Sequence, residues 1–245
     1  MERTMRAVIL AGGKGTRLRP YTTVLPKPLM PIGEMPILEI VLRQLAHAGF
    51  GRVTLAVSYL AELIEAYCGD GARFGLTIEY SRELEALSTA GPLKLIQGLD
   101  RTFLVMNGDV LTTLDYAAMI RHHRDSGAAA TIAVHRRTTK VDFGVVETGA
   151  GGDLAHYIEK PEYSYLVSMG INVLEPVALE HIRPGESLGM PDLMTRLKNA
   201  GLRVATYEAP CLWLDIGRVD DYESALDTFE SRRAEFLPGS GPSRS

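Results

Sequence analysis

The stretch Arg6-Ala7-Val8-Ile9-Leu10-Ala11-Gly12-Gly13-Lys14-Gly15-Thr16-Arg17-Leu18-Arg19-Pro20 decides the fold. From Arg6 to Ala11 it is aliphatic and β-branched, the composition of a strand buried on both faces. It then runs directly into three glycines within four positions. Glycines let backbone N–H groups approach a phosphate chain, and Arg17 adds a planar donor fork for phosphate oxygens. Such a loop belongs at the carboxyl edge of a parallel sheet, where these sheets bind their ligands. Two familiar glycine motifs fail. Leu18 stands where GxGxxG needs its third glycine, and GK[ST] is absent from the loop. Taken alone, the segment predicts a phosphate loop of unassigned type, with a plain glycine turn carrying solvated charges as the alternative.

Strand and helix patterns alternate outward from this loop. Pro36 to Ala48 sets Ile37, Ile40, Val41 and Leu45 at helical spacing, with Gly49 as a stop. Strands are expected at 53–58, 76–80, 102–106 and 129–136, and helices at 60–67, 91–99 and 114–126. Past Lys140 the pattern loosens into short strands at 144–147, 154–159 and 166–174. Helices near 176–182 and 191–200, strands at 203–208 and 212–216, and an amphipathic helix from Val219 to about Phe236 complete it. This alternation predicts an α/β fold: a Rossmann-like, mostly parallel mixed sheet with helices on both faces. A single domain over 1–236 is expected, in two halves that meet at about residue 110, with a disordered tail at 237–245.

Composition narrows the function classes. The chain has 245 residues, 46% hydrophobic and 23% charged, with a net charge of −4. That is ordinary globular usage, without the basic excess of a nucleic-acid or anionic-membrane binder. Two cysteines, Cys68 and Cys211, are too few for a disulfide framework, and no apolar run approaches the about 18 residues of a membrane span. A soluble, cytoplasmic protein is expected, its oligomeric state open, a homo-oligomer included. The charge is unevenly spread. From Arg3 to Gly33 there are six basic residues and no acidic one, against 20 basic and 30 acidic elsewhere. A basic segment in an acidic chain suggests a local anion site.

Shortly after the loop, Leu25-Pro26-Lys27-Pro28-Leu29 holds a lysine between two prolines. With the glycine loop it resembles the entry signature of the sugar-1-phosphate nucleotidyltransferases, GGxGTRL-P followed by KP. Further elements of that family stand in order: Asn107-Gly108-Asp109, Phe143-Gly144-Val145-Val146, Glu159-Lys160-Pro161 and Trp213-Leu214-Asp215-Ile216-Gly217. Together they span nearly the whole chain. The resemblance implies transfer of a nucleotidyl group from an NTP to a sugar 1-phosphate, with Mg²⁺ held by Asp109 and Asp215. It implies that Arg17, Lys27, Asp109 and Lys160 carry catalysis, without a protein nucleophile. Leu10, Ala11, Gly12, Gly13, Gly15, Thr16, Glu83, Ser88, Thr89, Asn107 and Gly108 would join Arg17 at the nucleotide. Gly144, Glu159, Lys160 and Asn172 would hold a hexose or heptose 1-phosphate.

The segment from Glu79 to Leu93 resembles the base-reading loop of the mannose- and heptose-1-phosphate guanylyltransferases, which carry E-x-E-P-L-G-T-A-G-P-L. A carboxylate only accepts hydrogen bonds, and guanine presents two adjacent N–H donors on one edge. GTP is therefore favoured, with thymidylyl, uridylyl, cytidylyl and adenylyl transfer as alternatives. Ala86 and Ser88 depart from the pattern, replacing a proline and a glycine. Serine carries a cost if that position needs positive φ. A catalytically silent sugar-nucleotide-binding homologue is a rival reading, and an NAD-type protein another. His122-His123 is expected on a solvated helix face, Cys211 in packing rather than as a nucleophile, Met169 and Trp213 in the core, and Asp220-Asp221 as a helix cap.

Overall fold

The computed structural model describes residues 5–217 and 219–237. In chain order its strands are β1 (Met5–Leu10), β2 (Pro31–Ile32), β3 (Met35–Pro36), β4 (Phe50–Val57), β5 (Thr77–Arg82), β6 (Phe103–Asn107), β7 (Val110–Thr112), β8 (Ala130–Lys140), β9 (Val145–Thr148), β10 (Leu154–Ile158), β11 (Glu162–Leu174), β12 (Val204–Glu208) and β13 (Trp213–Asp215). The α-helices are α1 (Ile37–His47), α2 (Ala61–Cys68), α3 (Tyr116–Ser126), α4 (Met190–Asn199), α5 (Val219–Ser231) and α6 (Arg233–Phe236).

Seven strands form one sheet in the order β12-β8-β11-β6-β1-β4-β5. All run parallel except β11, which is antiparallel to both β6 and β8. Alternation along the strands sends side chains to two cores. Ala7, Ile9, Leu104 and Met106 enter the cluster with α1, α2 and α3, while Val8, Phe103 and Val105 enter the one with α4. Both faces are thus covered, as the alternating pattern predicts. In α1, the apolar residues Ile37, Leu38, Ile40, Val41, Leu42 and Leu45 are all fully buried.

The remaining ladders shape the ligand edge. Strands β7 and β13 pair antiparallel, Asp215 opposite Val110 and Trp213 opposite Thr112. Strands β8 and β11 continue past the sheet as a ribbon, pairing out to Lys140 and Glu162, and β9 and β10 form a hairpin between them. The expected strands at 129–136 and 166–174 are therefore the inner parts, which hold the buried residues, of two longer ones. Their outer halves are exposed, and hydrophobic periodicity is a signal of burial.

Three expected elements differ in kind. The helix expected over 91–99 is a 3₁₀ turn at Gly91–Leu95. Ala90 and Gly91 both donate to the Leu188 carbonyl instead of opening a helix. The helix expected over 176–182 is likewise a 3₁₀ turn, Pro176–His181, and the last helix breaks at Arg232 into α5 and α6. Leu237, placed at the head of the expected tail, is buried; the rest of that tail, with Asp220's side chain, lies outside the described residues.

His123 does not belong to a solvated face. Its neighbour His122 is exposed, but His123 turns inward, with Nδ1 2.7 Å from Thr131 Oγ1 and Nε2 3.1 Å from Glu175 Oε1. Burial pushes the imidazole pKa down, against an upward pull from Glu175. Below the ordinary histidine value of about 6.5 the unfolded chain takes up a proton here that the native protein resists, so stability falls as pH falls through that value. In urea titrations at about pH 8 and about pH 5.5, His123→Gln should lose less stability between the two than the wild type. An equal loss in both proteins would exclude His123 as a source of the pH dependence.

Candidate active site

Two cavities open side by side at the carboxyl edge of the sheet. The first, about 400 Å³, is lined by Leu10, Ala11, Gly12, Gly13, Gly15, Thr16, Arg17, Lys27, Glu83, Ser88, Thr89, Asn107 and Asp109, with Pro28, Ser58 and Ala86. The second, about 470 Å³, is walled by Met169, Met190, Pro191, Met194, Trp213 and Ile132, with Asn172, Ser168 and Asp215 among its polar groups. Leu10, Thr89 and Asn107 border both.

The glycine loop is built as its sequence requires. Ala11 extends β1 by donating to the Ala56 carbonyl, and the chain then turns away from the sheet. Gly15 adopts φ +59, and a Cβ there would lie 2.9 Å from Thr22 Cγ2 and 3.2 Å from Lys27 Cβ. Thr22 Oγ1 donates to the Gly15 carbonyl at 2.8 Å, holding loop and lysine segment together. Gly12 lies against Glu83: its Cβ would meet Glu83 Oε1 at 3.0 Å. Arg17 is exposed, its guanidinium facing Gly217 beside the β13 end.

Lys27 begins a 3₁₀ turn closed by Leu29 N–H to the Pro26 carbonyl and Met30 N–H to the Lys27 carbonyl. Its ammonium forms an ion pair with Asp109 Oδ2. Asp109 Oδ1 is buried and has no hydrogen-bond partner. Asp215 reaches the same place through β13. Burial and then the charge of Asp109 push its carboxyl pKa up, while Lys27 and Arg17 act the other way. The two carboxylates expected to act together are thus electrostatic neighbours. Among the described residues no group of three or more His, Cys, Asp or Glu side chains is placed to hold a metal. A cation here would take two carboxylates and fill its shell from ligand oxygens, the habit of Mg²⁺.

The base-reading segment is tied to α4. Thr89 Oγ1 accepts from Met190 N–H at 2.7 Å, which draws Met190, Pro191 and Met194 to the second cavity. Ser88 has φ +64, the left-handed conformation that a glycine would adopt without strain. Glu83 is half-buried. Burial pushes its pKa up, and a hydrogen bond from Leu87 N–H at 3.1 Å pulls it part way back.

Not every expected residue joins the cavities. Gly108 lies beneath them; its N–H donates to the Leu10 carbonyl at 2.9 Å, and a Cβ would crowd Ile9 and Pro28. Gly144, Glu159 and Lys160 stand on the ribbon and its hairpin, outside both cavities, with Lys160 exposed at φ +44. Asn172 is buried on β11 and lines the second cavity. Met169 and Trp213, expected as core, form walls of that cavity as well; the indole Nε1 donates to the Met169 carbonyl at 3.2 Å. Met190, Pro191 and Met194 carry no motif; the Thr89 bond and the bonds of Leu87, Ala90 and Gly91 to Leu188 bring them here. Cys211 is half-buried, and burial raises its thiol pKa.

A glycine loop at the edge of a parallel sheet, with a lysine, an arginine and two neighbouring carboxylates, has the chemistry that suits a phosphate chain and a cation. The chain belongs to the nucleotidyl transferase family, whose model matches residues 6–232. It is 38% identical to a UTP–glucose-1-phosphate uridylyltransferase of Synechocystis, over 96% of this chain and 66% of that protein. It is 34% identical to a mannose-1-phosphate guanylyltransferase of Mycobacterium tuberculosis, over 88% of this chain and 62% of that one. The chain therefore spans about two thirds of the length of these relatives. Among solved structures, HddC from Yersinia pseudotuberculosis complexed with GMP-PN superposes with a TM-score of 0.70 at 26% identity, covering 92% of this chain and 100% of that one.

Gly170, which belongs to no sequence motif, fixes Asn107 at the shared border. It has φ +73, and a Cβ would lie 2.7 Å from Asn107 Nδ2. Gly170→Ala should destabilise the protein by about 1–3 kcal/mol through backbone strain and displacement of Asn107. An unchanged urea midpoint would show that this contact constrains neither residue.

Proposed function

We propose that the protein transfers a nucleotidyl group from an NTP to a sugar 1-phosphate, releasing pyrophosphate. The observation that carries this is the junction of the two cavities at Asn107, with Asp109 on one side and Asp215 on the other. In this reading the triphosphate lies along the glycine loop, its base beside Glu83, and the sugar occupies the second cavity near Asn172 and Trp213. The first cavity draws all its lining from the first 110 residues, whereas the second draws on both halves of the chain. That supports a nucleotide half up to about 110 and a mainly sugar-binding remainder.

A phosphate oxygen of the sugar 1-phosphate attacks the α-phosphorus in line. The bond from that phosphorus to the bridging oxygen breaks, and the electron pair leaves with pyrophosphate. The substrate supplies the nucleophile, so the protein contributes position and charge. Backbone N–H groups of the loop orient the β- and γ-phosphates, and Arg17 and Lys27 neutralise charge developing on the leaving group. The buried, unpartnered Oδ1 of Asp109 and the adjacent Asp215 fit a hard divalent cation, Mg²⁺ by its preference for oxygen ligands. When bound, such a cation stabilises charge on the phosphate oxygens. Glu159, Lys160 and Gly144 enter this reading through the family resemblance alone, with roles at the sugar and its phosphate. Asp109→Asn should reduce turnover by about 100-fold or more at unchanged folding. Pyrophosphate release at the wild-type rate would remove Asp109 from the mechanism, and the same assay on Lys160→Ala decides that residue.

GTP is the favoured nucleotide. Glu83 presents a half-buried, acceptor-only group to the first cavity, matching the paired N1–H and N2–H donors of guanine. The likeness to the guanylyltransferase of M. tuberculosis and the GMP-PN complex of HddC support the same choice. UTP is the second reading, supported by the uridylyltransferase of Synechocystis. With one sugar 1-phosphate held fixed, pyrophosphate release should be fastest with GTP. Glu83→Gln, whose amide both donates and accepts, should shift the kcat/KM ratio toward UTP or dTTP by about tenfold or more. A wild-type preference for UTP overturns the guanine assignment while leaving the reaction class standing.

A further inference from the structure

Lys27 and a divalent cation have claims on the same carboxylate. Lys27 arises from a turn braced on three sides. Thr22 holds the glycine loop against it, Pro26 and Pro28 flank it, and Gly108 passes beneath Pro28. The side chain is about 90% buried, and its ammonium pairs with Asp109 Oδ2, while Oδ1 of that carboxylate faces no donor. An ammonium in contact with a carboxylate lowers that carboxylate's attraction for any second cation, whichever oxygen the second cation approaches. Burial strengthens this effect, because water screens the charges less. The charged groups that act on neighbouring Asp215 are Asp109, Lys27, Arg17 and Asp221, so three carboxylates and two cations share this place, with Lys27 paired to Asp109.

We propose that Lys27 masks Asp109 in the free protein and so couples cation binding to the arrival of a phosphate chain. This rests on the reading of the site as one for a triphosphate and a divalent cation. A triphosphate offers Lys27 a stronger anionic partner than a single carboxylate. Transfer of the ammonium to phosphate oxygens then unmasks Asp109 where the metal is needed. By linkage the converse holds too: a cation on Asp109 frees Lys27 for phosphate, and each ligand strengthens the other. Lys27 is in this respect a positioning residue whose effect on the metal runs through Asp109. The device keeps a bare cation from settling at the site without substrate. It also gives the rigid setting of Lys27 a purpose beyond phosphate contact, since a flexible lysine would mask the carboxylate poorly.

The test is Mn²⁺ binding to the full chain without nucleotide, read from the electron paramagnetic resonance signal of free Mn²⁺, with folding checked by circular dichroism. Lys27→Met should bind Mn²⁺ about 10- to 100-fold more tightly than the wild type. Lys27→Arg, which keeps the charge, should stay within a few-fold of the wild type. Adding Asp109→Asn to Lys27→Met should abolish the gain. Equal Mn²⁺ affinity in the wild type and Lys27→Met overturns the masking role while leaving the metal assignment intact. A gain that survives Asp109→Asn places the effect elsewhere and also overturns it. If Lys27→Met shows no measurable Mn²⁺ binding, the assignment of Asp109 as a cation ligand fails, and the proposal fails with it.

Discussion

The pairing of β13 with β7 is the constraint on which the site depends. Asp215 is remote from Asp109 in sequence, and no loop or helix joins them locally. Three residue pairs bring them together, ending with Asp215 opposite Val110, the residue directly after Asp109. The ladder is held beyond its own backbone bonds. Thr112 Oγ1 donates to the Leu212 carbonyl at 2.6 Å, and Leu212 N–H donates to Thr113 Oγ1 at 2.9 Å. A one-residue slip would turn Asp215 to the opposite face and remove the second carboxylate. The indole of Trp213, on the same strand, reaches across to the Met169 carbonyl, so the ladder also sets one wall of the second cavity. Register, more than side-chain chemistry, makes these two aspartates a pair.

The single antiparallel strand in the main sheet has a comparable effect. Because β11 runs against β6, it enters the sheet from the ligand edge and passes Asn107 with Gly170 before reaching the core at Ile171. A parallel strand at this position would reach the ligand edge only at its end. Here the incoming segment Ser168-Met169-Gly170 lies along the edge and lines the second cavity. The register irregularity between Ser168 and Asn172 falls within this segment. Local irregularity is how a strand re-aims side chains beside a binding site. The outer ribbon of β8 and β11 follows from the same reversal, and it carries Glu159 and Lys160 away from the two cavities.

Legibility in the sequence followed the range of each signal. The glycine loop, the KP turn and Asn107-Gly108-Asp109 each act through neighbouring backbone, so their residues announced their position. The alternation of strands and helices likewise gave the sheet its class, because burial on both faces leaves a continuous apolar pattern. The positive φ of Ser88 was legible in the same way, as a glycine position occupied by something else. The walls of the second cavity were not. Met190 and Met194 have the spacing of any amphipathic helix, and long-range bonds from Met190 to Thr89 and between Leu188 and the 87–91 segment turn that face toward the second cavity. His123 was misread for a related reason: the helix pattern shows which residues share a face, but here Thr131 and Glu175 decide which face is inside.

The basic segment at the start of the chain shows why composition alone cannot locate a site. Six positive charges without an acidic partner in sequence suggest one anion cradle, yet among the described residues only Arg17 and Lys27 of them line the first cavity. Arg6 stands four residues before Leu10 on β1, roughly 13 Å back along the strand at about 3.3 Å per residue. There its guanidinium is consumed by Thr54, Glu79 and the carbonyls of Gln97 and Gly98, fastening β1 to the opposite edge. Within that local charge excess, Arg6 serves the fold at one end of the strand, while Arg17 and Lys27 line the cavity at the other. Of these two, Lys27 is paired with Asp109, and Arg17 is the more exposed cation. The positive charge at the site thus comes from few groups held close together, and burial at Lys27 and Asp109 makes each of those charges count for more than its share of the sequence total.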